Sequence, residues 1–177
     1  MLFHLFISLL LMAQSYQTQP YEVISTLDPI EIRYYPPAMK VQVESTTQNN
    51  RNFNSLFKYI SGNNDTGKKI AMTTPVYMKN KEDTQIMAFV LPQQFIDAAP
   101  QPKEKGVRVY QSKAGYFAAI RYGGYSNPDK VQRYTQQLET ALAKAGKEII
   151  GRAYVLSYDA PYKFYNRRNE ILLEIAL

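Results

Sequence analysis

Three lysines accompany an apolar helical pattern between Arg51 and Met78, and this combination could bind an amphiphilic anion. The apolar residues recur at offsets of zero, three, four and seven, which is one face of a helix: Phe53, Leu56, Phe57 and Ile60. The lysines beside them are Lys58, Lys68 and Lys69. A ligand with a flat apolar body and acidic groups would fit such a surface. The same pattern also describes an ordinary amphipathic helix packed on a sheet, with its lysines in solvent.

Side chains that commonly ligate metals or act as nucleophiles are scarce in this chain. There is no cysteine, and the single histidine is His4, which excludes disulfides, thiolate catalysis and zinc–cysteine clusters. No G-x-S-x-G motif occurs, and no later histidine could activate a serine. The carboxylates lie on separate predicted strands without paired spacing, for example Glu22, Glu31, Glu44 and Glu170. We therefore expect a binding protein rather than an enzyme.

The composition predicts one globular domain. A chain of 177 residues with 45% hydrophobic residues can bury a substantial core, and no stretch is long enough for a stable membrane span. The net charge of +6 suits anionic small molecules, but no basic run exceeds two residues. Binding to nucleic acid is therefore not expected. We also expect the protein to be a monomer.

The first fifteen residues are typical of a signal peptide. Leu5 to Met12 form a short apolar core, and Ala13-Gln14-Ser15 places small residues where a signal peptidase would cleave. The segment departs from the usual pattern because no Lys or Arg precedes the core. We expect residues 1–15 to be removed and the remaining domain, 16–177, to be exported to a secreted, periplasmic or similar compartment. The alternative is a cytoplasmic protein with an apolar N-terminus.

The elements that would position these residues come in two similar halves. The first half, about 21–91, contains predicted strands and one helix, in the order Tyr21–Ser25, Ile30–Tyr35, Ala38–Glu44, the helix closed by Gly62, the strand IAMTTPVYM and Gln85–Leu91. Within Ala38–Glu44 the apolar residues Met39, Val41 and Val43 alternate with polar ones. Pro75 indicates an edge or a bulge in its strand.

The second half, about 107–177, repeats this order. Val107–Gln111 and Gly115–Tyr122 are predicted strands, and Asn127-Pro128-Asp129 begins a helix as N-cap, first-turn proline and acidic residue. The apolar stripe of that helix is Val131, Tyr134, Leu138, Leu142 and Ala145, and two more strands follow, Arg152–Tyr158 and Glu170–Leu177. The pattern predicts an α+β fold of two β-β-α-β-β pseudo-repeats, closed into a distorted eight-stranded barrel or sheet with both helices outside.

Several motifs of this chain resemble the SOUL haem-binding protein family. They are the run F-x-x-L-F-x-Y-I-x-G-x-N, the following K-I-A-M-T-T-P-V, the opening YEVI and IEIRYY, and the ending YDAPYKFYNRRNEILLEI. These motifs fall at the start, middle and end, so the resemblance covers nearly the whole chain after residue 20. The resemblance implies one SOUL-type domain with the barrel-like arrangement predicted above.

The resemblance also implies a ligand cleft along the first helix, faced by the segment before R-R-N-E. Lys58 and Lys163 match basic positions that bind propionates in the family, and Arg51 lies one residue from a third such position. Apolar contact would come from Phe53, Leu56 and Phe57, and core packing is the alternative for Phe53 and Leu56. For the R-R-N-E residues 167–170 we expect a structural role at the chain reversal. Asn64-Asp65-Thr66 matches a glycosylation acceptor if the protein is exported from a eukaryotic cell.

A haem or related tetrapyrrole bound by this chain would lack a histidine or cysteine axial ligand. His4 lies in the predicted signal peptide, so only tyrosine or methionine remains, and Met72 and Met78 are expected to be core residues. Burial of the porphyrin faces and pairing of its propionates would therefore provide the affinity. We predict a non-enzymatic tetrapyrrole carrier or buffer. The alternatives are a module that binds another flat hydrophobic molecule and a tetrapyrrole-modifying enzyme.

Overall fold

The computed structural model describes residues 16–46, 51–81 and 83–176. The predicted signal peptide, residues 1–15, lies outside them. The strands are β1 Gln17–Thr18, β2 Glu22–Leu27, β3 Ile30–Tyr35, β4 Ala38–Ser45, β5 Thr73–Thr74, β6 Val76–Lys81, β7 Thr84–Val90, β8 Val107–Ser112, β9 Gly115–Tyr122, β10 Tyr154–Ser157 and β11 Asn169–Ile175. The helices are α1 Arg51–Ile60 and α2 Pro128–Lys144, and Gln93–Phe95 form a 3-10 turn.

Nine strands form one antiparallel sheet in the order β2-β3-β9-β11-β10-β6-β7-β4-β8. Without β2, the other eight strands follow the same pattern when counted from the two ends of the sheet. From one end the order is β3, β9, β11 and β10, and from the other end the corresponding strands are β8, β4, β7 and β6. The two halves of the sheet therefore meet where β10 pairs with β6. The predicted α+β architecture of a curled sheet with helices outside is confirmed. The strand number is nine because Glu22–Leu27 adds an edge strand to β3.

Both helices cover the same face of the sheet, one over each half. Leu138 and Leu142 of α2 pack on apolar residues of β3, β9 and β11, and Leu56, Tyr59 and Ile60 of α1 pack on those of β4, β7 and β8. Strand alternation sends the intervening residues to the other face of the sheet, which we call the inner face. That face carries a third apolar cluster: Tyr35, Ala38, Tyr77, Ala88, Val90, Ala119, Leu156 and Leu172.

Two details of the predicted elements differ from the structure. The strand IAMTTPVYM is divided, because Pro75 separates β5 from β6 and cannot donate a ladder hydrogen bond. Its first two-residue part pairs in parallel with β1 in a separate small sheet. In α2 the predicted stripe residue Ala145 is exposed, since the helix ends at Lys144, and Ala141 packs against the core instead.

Candidate ligand-binding site

Helix α1 has one buried side and one exposed side, as its sequence predicts. Leu56, Tyr59 and Ile60 lie in the core, and Lys58 occupies the last turn, where a cation interacts favourably with the helix dipole. Gly62, with a φ of 113°, ends the helix, and its N–H donates to the Tyr59 carbonyl at 3.2 Å. The exposed side carries Arg51, Asn54, Phe57 and Lys58.

The three apolar side chains of α1 that were predicted to contact a ligand differ in their exposure to solvent. Phe57 is 50% exposed, and its ring stacks at 6.0 Å on the ring of Phe53, which is partly buried. Phe53 in turn meets Phe89 of the core edge-on at 5.3 Å. Leu56 is 0% exposed, so it contributes core packing and has no surface for a ligand. The stacked Phe53–Phe57 pair is therefore the apolar platform of this helix.

Lys163 lies apart from α1, on the segment between β10 and β11. Its Nζ pairs with Asp159 Oδ1 at 2.5 Å, and the other oxygen of Asp159 accepts the backbone N–H of Arg168 at 2.6 Å. Burial would raise the pKa of Asp159, but the hydrogen bond from Lys163 and the one from the Arg168 backbone outweigh it, and the pKa is lowered. Lys163 thus already has an anionic partner, although its side chain remains 35% exposed.

The strand register brings the two parts of the predicted cleft to the same end of the sheet. Ser157 at the end of β10 pairs with Val76 at the start of β6, and β6 follows the loop that leaves α1. The segment carrying Lys163 therefore lies at the sheet end from which this loop enters β6. Arg51, Phe53, Phe57 and Lys58 share α1, whereas Lys163 lies on the segment between β10 and β11.

Exposed aromatic residues on the β10–β11 segment were missed by the sequence reasoning. Phe164 is 78% exposed, Tyr162 and Tyr165 are also largely exposed, and the rings of Phe164 and Tyr165 meet at 5.5 Å. Apolar rings in solvent next to a lysine are a common mark of a ligand or partner surface. The available signal was the density of aromatic residues in PYKFY, within a segment that has no strand pattern.

The R-R-N-E residues form a buried network that holds this segment. Glu170 is fully buried and accepts hydrogen bonds from Arg33 at 2.6 and 3.1 Å, from Arg168 at 2.7 and 3.0 Å and from the Tyr158 hydroxyl at 2.8 Å. Burial would raise the pKa of Glu170, but the two arginines lower it. Burial raises the pKa of Tyr158, which keeps its hydroxyl a donor. Arg167 donates to the carbonyls of the same segment, at Ala160 and Lys163, and Asn169 donates to the Gly124 carbonyl.

Within residues 16–46, 51–81 and 83–176, no group of three or more histidine, cysteine or acidic side chains could hold a metal ion. In the same part of the chain, no helix is long and apolar enough to cross a membrane.

Comparison with known proteins identifies the family. A family model described as SOUL heme-binding protein matches residues 16–174. The chain belongs to the SOUL family. It is similar to Heme-binding protein 1 of Mus musculus, with 28% identity over 90% of this chain and 93% of the mouse protein. It is also similar to Heme-binding protein 2 of Homo sapiens, with 31% identity over 81% of this chain and 76% of the human protein.

A similar fold is found in a protein of very different sequence. The crystal structure of the EcmrR C-terminal domain superposes with a TM-score of 0.60 at 9% identity, covering 88% of this chain and 98% of that domain. At this identity the likeness shows the fold alone.

The SOUL motif after α1 has a structural role at Asn64. Asn64 is fully buried, and its Nδ2 donates to the Tyr59 carbonyl at 3.1 Å and to the Lys68 carbonyl at 2.7 Å. Its Oδ1 accepts from Thr66 and from the Lys68 backbone. Asn64 matches only the sequence pattern of a glycosylation acceptor, and in the folded domain both hydrogens of its amide nitrogen are engaged.

Proposed function

We propose that this protein binds haem or a related tetrapyrrole on the exposed side of α1, as a carrier or buffer without catalysis. One observation carries the proposal: Phe57 is half exposed and stacked on Phe53, directly beside Lys58, in the stretch that contains the SOUL motif. The names of the two relatives, heme-binding proteins 1 and 2, support the same ligand class.

The apolar platform would contribute most of the affinity. A porphyrin face that covers a few hundred Å² of apolar surface gains about 25 cal/mol per Å², or several kcal/mol before the cost of association. Phe57 supplies such surface on α1, and the exposed rings of Phe164 and Tyr165 are available on the β10–β11 segment.

Lysines would pair with the two propionates. Lys58 has no ion-pair partner among the described residues, so a propionate would be its first. Lys163 would have to bind the propionate together with Asp159 or in place of it. Losing the Asp159 pair costs little, because partly exposed ion pairs contribute only about 0–1 kcal/mol. Arg51, at the start of α1, is the third candidate cation.

Coordination of the iron by protein side chains would contribute little to the affinity for haem. The chain has no cysteine, and its only histidine is His4, so neither of the two common protein ligands can come from the folded domain. The proposed site therefore recognises the porphyrin faces and the propionates. This favours a binding role over a tetrapyrrole-modifying activity, for which the described acidic and tyrosine side chains form no evident site around α1.

Titration of haem against charge-reversal variants tests this function. Lys58→Glu should weaken binding by at least about tenfold at low salt, with a smaller effect at high salt, because a propionate pair is lost and screened. Lys163→Glu should act in the same direction. Lys144→Glu, an equal charge change at the end of α2, is the matched control and should leave the affinity unchanged.

Two ligand comparisons complete the experiment. Metal-free protoporphyrin should bind within about tenfold of haem, or about 1.4 kcal/mol. Equal affinity for haem and for its dimethyl ester would contradict propionate recognition. A thousandfold preference for haem over protoporphyrin would contradict binding through the faces and edges.

A further inference from the structure

A cavity of about 350 Å³ opens on the inner face of the sheet, on the side opposite both helices. Five aromatic residues contribute to its walls: Tyr35, Tyr77, Tyr110, Phe117 and Tyr154. The volume lies at the lower end of the range for small-molecule sites, so the cavity suits a ligand of one or two rings.

Lys40 of β4 lies in the wall of this cavity as a buried cation without an anion. It is 8% exposed, and its Nζ sits 3.6 Å from the centre of the Tyr77 ring. Among the described residues no carboxylate or hydrogen-bond acceptor pairs with it. Burial lowers the pKa of Lys40 to about 8, so at neutral pH the amine is still mostly charged. A buried unpaired charge is costly, and proteins rarely keep one without a partner or a function.

The aromatic walls are fixed in place before any ligand binds. The Tyr77 and Tyr154 rings meet edge-on at 5.7 Å, and the Tyr35 and Phe117 rings do so at 5.4 Å. The Tyr77 hydroxyl donates to Gln19 Oε1 at 2.7 Å, and burial raises the pKa of Tyr77, so it stays neutral. A flat ring could therefore bind against side chains that already pack on one another, which lowers the cost of ordering them.

The charged groups around the cavity favour an anionic ligand. Besides Lys40, the lining contains Lys79 and Lys113, against one carboxylate, Glu174. Burial raises the pKa of Tyr35, Tyr77 and Tyr110, so these three phenols add no negative charge at neutral pH. The Lys79 ammonium lies 4.5 Å over the Tyr154 ring, which keeps a second cation at the mouth.

We propose that this cavity is a second ligand site, separate from the α1 surface, for a small planar aromatic carboxylate. Lys40 pairs with the carboxylate, and the rings of Tyr77 and Tyr154 contact the aromatic body. The site lies on the opposite face of the sheet from α1, so it does not depend on the tetrapyrrole function. A whole tetrapyrrole is too large for it, because its volume suits only one or two rings.

Binding of 2-naphthoate, measured by calorimetry at neutral pH, tests the site. We expect 2-naphthoate to bind the wild-type protein at least about tenfold more tightly than the neutral 2-naphthamide, since the carboxylate supplies the missing anion. In Lys40→Met the two affinities should become equal. Lys105→Met, which removes an exposed lysine outside the cavity, is the matched control and should retain the preference for 2-naphthoate.

Three results would overturn the proposal. They are an affinity of 2-naphthoate weaker than about 1 mM for the wild-type protein, an unchanged preference in Lys40→Met, and competitive displacement of 2-naphthoate by haem. Displacement by haem would place both ligands in one site, whereas failure of haem to bind at all would leave the 2-naphthoate result standing. The Met variant should fold, because the substitution removes a buried charge and keeps an unbranched chain.

Discussion

Replacing Lys40 by methionine should stabilise the protein, which is the reverse of the usual effect of a core substitution. The pKa of Lys40 falls from 10.5 to about 8 on folding because the amine is buried. At 1.36 kcal/mol per pKa unit, this corresponds to about 3 kcal/mol of unfavourable free energy for the charged form in the folded state. Methionine has a similar unbranched stem and carries no charge.

The contact between Lys40 and Tyr77 reduces this gain. An ammonium 3.6 Å from a buried ring is stabilised by about 1 to 2 kcal/mol, and the methionine variant loses that interaction. We therefore expect Lys40→Met to raise the free energy of unfolding by about 1 to 3 kcal/mol at pH 7. An exposed control, Lys58→Met, should change it by less than about 0.5 kcal/mol.

The pH dependence separates the charge effect from simple repacking. The folded pKa lies below the unfolded one, so the penalty is complete below about pH 8 and disappears as the pH approaches the unfolded value of 10.5. Between pH 7 and about pH 9.5 the wild-type protein should therefore recover about 2 kcal/mol relative to the variant. Urea unfolding at both pH values measures this difference. A variant less stable than wild type at pH 7, or a difference that does not change with pH, would refute the reasoning.

Two further predictions concern the buried network and the N-terminus. Glu170→Gln should lower the free energy of unfolding by about 3 to 5 kcal/mol, since it leaves Arg33 and Arg168 without their carboxylate, and an unchanged denaturation midpoint would contradict this. Because the pKa of Glu170 is lowered on folding, its contribution should be complete above the unfolded value of 4.5 and be lost at more acidic pH. We also propose export with cleavage after Ser15, so mass spectrometry of native protein should give a chain that starts at Tyr16, and a soluble cytosolic chain starting at Met1 would contradict it.

Local chemistry made the helices predictable. Asn127 caps α2 by accepting the Lys130 N–H at 2.9 Å, and Gly146 follows the helix with a φ of 63°. In α1 the offsets of the apolar residues indicated the buried side only in part, since Leu56 and Ile60 lie in the core but Phe57, at the same spacing, is 50% exposed. Caps, periodicity and glycine conformations all act within a few residues, so a single sequence contains them.

The order of the strands could not be read from the sequence in the same way. β3 pairs with β9 and β4 with β8, and the partners lie tens of residues apart in the chain. Several alternating apolar strands could exchange these places without changing the local pattern. The symmetry about the β10–β6 pair becomes visible only when the whole sheet is assembled, and β2 then proves to lie outside it.

Lys40 shows why the inner cavity escaped the sequence reasoning. The alternation in β4 correctly separates Met39, Val41 and Val43 from Lys40 and Gln42. In a flat two-layer fold the polar side of such a strand would face water, and a lysine on that side would be an ordinary solvent-exposed residue. The sheet curls, however, and rings from β3, β6, β9 and β10 close over that side, so that Lys40 becomes buried. The residue type is ordinary, and only its burial without an anion makes it a candidate for binding.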